Sequence, residues 1–146
     1  MRRSIRNALL TFLLIIAILC LPGVYAQIRR YQLDHSDHSQ ILAACRELLL
    51  SRDSYRNDRE RWITAEKDDV VILRPIPSNV PEAIRKLHPS VIFIHGDRVI
   101  ISFTAPFARV SLLGFAPHAR QFGTYKYIDG LWYWDCNDST KQKNET

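Results

Sequence analysis

The chain is predicted to be an α+β domain. An antiparallel sheet of about five strands carries one N-terminal amphipathic helix on one face, preceded by a signal or anchor helix. Three observations lead there. An arginine-led apolar run opens the chain. Apolar residues recur at helical spacing between Ile41 and Leu49. Strand-like runs joined by Gly96-Asp97 and Asp129-Gly130 follow, and such short turns make antiparallel pairing the default.

Arg2, Arg3 and Arg6 precede an uncharged run from Ala8 to Leu21. Pro22-Gly23 is expected to break that helix. Val24-Tyr25-Ala26 then offers small residues at the positions a signal peptidase reads, completing the three-part layout of a secretory signal. An uncleaved anchor is the competing reading. Counted from Ala8 to Ala26 the run is 19 residues, marginal for a span, and Arg29 and Arg30 directly after it weaken the charge contrast that orients anchors. Residues 1–26 are therefore read as a signal peptide or membrane anchor, 27–136 as a single α+β domain, and 137–146 as a disordered polar tail. The protein is expected to be exported: secreted or periplasmic if cut, held in the membrane through residues 8–26 if not.

Charge narrows the partners. The whole chain carries a formal +5, but residues 1–26 hold three arginines and no acid, so the remainder, with 17 basic and 15 acidic residues, carries +2. No Lys/Arg run remains to follow a phosphate backbone, which excludes nucleic acid as a main partner.

Asp37 with Gln40 three residues on has the layout of a helix start. Ile41, Leu42, Cys45, Leu48 and Leu49 then form a stripe about 120° wide, and a helix is expected over 37–54. Gln27–Leu33 shows no clear period. Val70–Leu73 reads as a strand that Pro75 and Pro77 end. Pro81 opens a short helix whose inward edge is Ala83, Ile84 and Leu87. Val91–Phe103 is a hairpin about Gly96-Asp97 that pairs Ile94 with Val99 and Ile92 with Ile101. Both of its faces are apolar, so a central, doubly covered position or an oligomer contact is expected. Arg109–Phe115 is a further strand. In the last hairpin a type I′ turn at Asp129-Gly130 would oppose Tyr127 to Trp132 and Tyr125 to Trp134, placing Tyr125, Tyr127, Trp132 and Trp134 on one face.

Four constellations are candidates for chemistry. The four rings are either core beneath the helix or a flat ligand-stacking platform. His118 and Arg120 sit on a loop, where functional side chains concentrate. His35 and His38, beside Asp34 and Asp37, have the spacing of two metal ligands on a helix, or else form a polar helix start. Cys45 and Cys136 would enter one layer if the ring face meets the helix, and an oxidising compartment would allow a disulfide between them. His95, Asp97 and Asp135 add acid–base groups without a motif spacing. There is no nucleophile elbow, phosphate-cradling glycine loop or zinc-protease helix, and nothing calls for a cofactor. The function read from these residues is an exported or membrane-tethered binding or structural module, with a protein or glycan partner outside the cytoplasm. The alternative is a small extracytoplasmic hydrolase or metal-dependent enzyme.

Overall fold

The computed structural model describes residues 2–57, 70–105 and 108–135. Helices α1 (Arg2–Asp34), α2 (His38–Leu50) and α3 (Arg52–Asn57) come first. They are followed by β1 (Val71–Leu73), the short α4 (Glu82–Arg85), β2 (Val91–Ile94), β3 (Val99–Ala105), β4 (Ala108–Phe115), β5 (Tyr125–Ile128) and β6 (Leu131–Asp135). The strands form one six-stranded antiparallel sheet in the order β1-β2-β3-β4-β6-β5. The last hairpin therefore joins through β6, and β5 becomes an edge.

The sequence expectation of a break at Pro22-Gly23 is overturned. α1 runs through both residues to Asp34, taking in the supposedly aperiodic Gln27–Leu33. A proline inside a helix costs about 3 kcal/mol. Docking of the later turns offsets this, because Ala26, Arg29 and Leu33 are buried at the i, i+3, i+7 spacing of one helical face. The arginine in the middle of that face concealed the period.

The α2 start is as read: Asp37 Oδ1 accepts from the Gln40 backbone N–H (3.1 Å) and Oδ2 from Gln40 Nε2 (2.9 Å). The helix stops at Leu50 rather than continuing to 54. Ser51 caps it, donating backbone N–H (2.9 Å) and Oγ (2.7 Å) to the Glu47 carbonyl, and α3 follows as a separate piece. Ile41, Ala44, Cys45 and Leu48 of α2 bury against Ile92, Ile94, Val99, Ile101, Phe103, Leu113, Leu131 and Tyr133 of the sheet. The β2–β3 register matches the sequence reading pair for pair.

The last hairpin does not. Ile128 opposes Leu131 as expected, but Lys126 opposes Trp132 and Tyr125 opposes Tyr133. Tyr127 is an extra residue on β5, a bulge. Only Gly130 takes positive φ (84°), so the turn is not the type I′ that two left-handed residues would make. One extra residue reverses the facing of all that precedes it. Tyr125 and Tyr127 pack with Tyr133 against the core, while Trp132 and Trp134 stand on the opposite face. The four rings do not share a side.

Candidate functional site

Two places on this scaffold combine built geometry with exposed chemistry. The first is the joint between α1 and the sheet. Arg29 is only 8% exposed. Its guanidinium donates to the Leu87 carbonyl and to the Tyr25 hydroxyl (2.9 Å) and lies over the Phe103 ring, 4.8 Å from the centroid. No carboxylate pairs with it among the described residues, so a carbonyl, a phenol and aromatic faces hold the charge. The next residue, Arg30, lies 4.0 Å over Tyr125, donates to that hydroxyl (3.2 Å) and meets Asp34 at 3.8 Å. Asp34 accepts the Tyr127 hydroxyl at 2.8 Å. Burial first, and then the Asp34 carboxylate, push the Tyr127 phenol well above its ordinary range.

The end of α1 is closed by side chains. The His35 ring (Nδ1) bonds the Tyr31 carbonyl at 2.8 Å, Ser36 Oγ donates to that of Gln32 at 2.6 Å, and the His38 ring (Nε2) bonds that of Leu33 at 2.7 Å. The His38 ring also stacks on Tyr127, centroids 4.2 Å apart. Carbonyls that a helix end leaves open are thereby covered. The two histidines proposed as metal ligands each spend a ring nitrogen on this closure, and no group of three metal-ligating side chains occurs among the described residues.

The direction of α1 orients the domain. Its apolar part is exposed on every side: the eight consecutive residues from Leu9 to Ile16 are all in contact with solvent. Among the described residues no helix is long and apolar enough to cross a membrane; the side chains of residues 1–6, 8, 17–19 and 22 are outside that description. Arg29 touches Leu87 and Phe103 near the end where β3 passes to β4, while Asp34 reaches Tyr127 farther along the sheet. Ser90 joins that first end, bonding Ser102 (2.9 Å) and Thr104 (3.1 Å). The β2–β3 turn lies at the other end with the β5–β6 turn. The loop carrying His118 and Arg120 lies there too, tied by Ala116 N–H to the Gly130 carbonyl at 2.8 Å. Both His118 and Arg120 are exposed there, the end farther from the apolar part of α1.

The second place is the sheet face that α1 and α2 leave open. A pocket of about 170 Å³ is lined by Ile100, Leu112, Gly114, Phe122, Trp132 and Trp134 together with Gly123, and almost all of its lining is carbon. Gly114 is required here because the Phe122 ring lies directly on its backbone and a Cβ would collide with it. Trp134 is 38% exposed at the mouth. The Trp132 indole N–H is buried and finds no acceptor among the described residues. Lys126 stands over the Trp132 ring (5.7 Å) and bonds Asp129, while Arg98 stands over Phe122 (5.8 Å) and is bidentate to Asp97 (2.9 Å each). Each cation holds its partner carboxyl below the ordinary carboxylate range. Of the expected platform, Trp132 and Trp134 remain, and Ile100, Leu112 and Phe122 replace Tyr125 and Tyr127. The sequence showed the apolar second faces of these strands but not that one pocket would gather them.

Cys45 is fully buried in the core, and burial pushes its thiol up to about 12. Cys136 lies outside the described residues. The premise that Trp132 and Trp134 share a layer with the α2 stripe fails, and that premise was the reason for pairing the two cysteines.

No family model, no curated protein and no solved structure matches this chain.

Proposed function

We propose that the protein is a single-span, membrane-tethered domain displayed outside the cytoplasm, acting as a binding module through its tryptophan-lined sheet pocket. The observation that carries this reading is the continuity of α1, which passes from a stretch apolar on every side directly into the core of the domain. A helix that is apolar all round is a span or a buried core helix, and Leu9–Ile16 are not buried in this domain. Because the helix does not break at Pro22, the uncharged stretch extends from Asn7 to Ile28, bounded by Arg6 and Arg29. Those 22 residues rise about 33 Å, against about 30 Å of hydrocarbon. Removal of residues 1–26 would also delete Tyr25 and Ala26, and with them the hydroxyl that Arg29 binds. That favours an anchor over a cleaved leader. The carbon-lined pocket suits an apolar or aromatic side chain of a protein partner better than the hydroxyls of a glycan.

The test is fractionation of the full chain in an exporting host. Retention in membranes through alkaline carbonate, with the domain digested by protease added outside, supports the reading. Release by carbonate, or a domain protected from external protease, refutes it.

A further inference from the structure

We infer that the membrane-facing end of the domain holds a site for the phosphate of an anionic phospholipid headgroup, formed by Arg85 and His88 beside Arg29. This rests on the anchoring reading and adds the lipid chemistry to it. A 20-residue hydrocarbon span centred between Arg6 and Arg29 covers residues 8–27. Arg29 then lies about 3 Å farther along the axis, inside a headgroup layer about 5–7 Å thick. The guanidinium of Arg29 is bonded to the Leu87 carbonyl, which brings the turn after α4 to the same depth. Arg85 and His88 flank Leu87 and, with Ile76 and Pro89, line an open pocket of about 210 Å³.

Among the described residues that line this recess, Arg85 and His88 carry the ionisable groups and neither is an acid. Arg85 is fixed through Nε on the Val80 carbonyl at 2.9 Å, and its side chain lines the recess. Among the described residues, Glu82 is engaged by Lys86 at 3.0 Å and feels Arg85 more weakly. Arg29 has no carboxylate partner among the described residues, and its buried Nε bonds nothing there. An open recess lined by one arginine and one histidine, with Ile76 and Pro89 as its apolar part, suits a phosphate whose remaining atoms are apolar or neutral. A free phosphate shares that chemistry, and depth in the membrane favours the lipid.

The full chain in mild detergent is supplied with mixed phosphatidylglycerol and phosphatidylcholine micelles, and bound lipids are counted by native mass spectrometry. Phosphatidylglycerol adducts should exceed phosphatidylcholine adducts. Arg85→Gln/His88→Gln should lower the phosphatidylglycerol preference at least about fivefold, the scale of one basic residue at a membrane surface. Arg46→Gln, which removes an exposed cation from α2, should leave it unchanged. Retained preference in the double variant overturns the site, and so does displacement of the lipid by inorganic phosphate at equal concentration, which would assign the pocket to a free anion. Carbonate extraction of the same chains separates the two failures: a double variant still integrated in membranes shows that only the lipid site, and not the anchor, is in question.

Discussion

Tyr127 gives its phenol hydrogen to Asp34 across 2.8 Å, and through that bond the last turn of α1 holds the edge strand β5. The bond exists because Tyr127 is the bulged residue, which turns its ring from the tryptophan face to the helix face. Tyr127→Phe should destabilise the domain by about 1 kcal/mol at neutral pH, read from urea midpoints at constant slope. Asp34 is partly exposed, which keeps the value at the low end.

Tyr127 also sets an alkaline limit. Its folded pKa is raised above the ordinary 10.0, so as pH climbs past that value the unfolded chain loses this proton before the folded one does. The stabilisation is complete below about pH 10 and declines as pH rises further. The urea midpoint of the wild type should fall there, and in Tyr127→Phe the fall should be shallower.

Arg29 is buried by a carbonyl and aromatic rings instead of an acid. Arg29→Ala removes the packing of the long stem and leaves the Leu87 carbonyl without its donor, at an expected cost of about 2–3 kcal/mol. Arg29→Met also leaves the Leu87 carbonyl without its donor but keeps the packing of the stem and discards the desolvated charge, so it should cost less than Arg29→Ala by about 1 kcal/mol. Thermal or urea unfolding of the two variants in parallel reads the difference.

Gly114→Ala should drive the Phe122 ring off the sheet, at about 1–3 kcal/mol. In a Phe122→Ala background the same substitution should be nearly neutral, giving a strong coupling in the double-mutant cycle. Tryptophan emission from Trp132 and Trp134 should shift red in Gly114→Ala as the pocket opens.

Cys45 should resist thiol reagents in the native state, since it is buried and its thiolate is strongly disfavoured. In a Cys20→Ser/Cys136→Ser variant, mass spectrometry should find no adduct at neutral pH before denaturation and one adduct after it.

Individual residues show where sequence reasoning succeeds and where it stops. Gly96-Asp97 makes the two-residue turn expected of it, so every pair of β2 with β3 follows. Asp129-Gly130 looks like the same signal, but a left-handed backbone at Gly130 alone produces a bulge, and one residue of slip separates Tyr125 and Tyr127 from Trp132 and Trp134. Asp37 and Gln40 announced α2 because capping is local. The continuity of α1 was hidden, since Pro22-Gly23 is a strong local stop that only tertiary docking of Ala26, Arg29 and Leu33 overrides. Trp132 and Trp134 were recognisable as a pair, whereas Ile100, Leu112 and Phe122 reach them only through long-range strand pairing.

On the anchoring proposal, α1 is one uninterrupted rod serving both bilayer and domain. Intact mass spectrometry of the chain recovered from washed membranes of an exporting host decides between that rod and a cleaved leader. A species of about 17.0 kDa that retains residues 1–26 is the expected result. A shortened species beginning at Gln27 would contradict it.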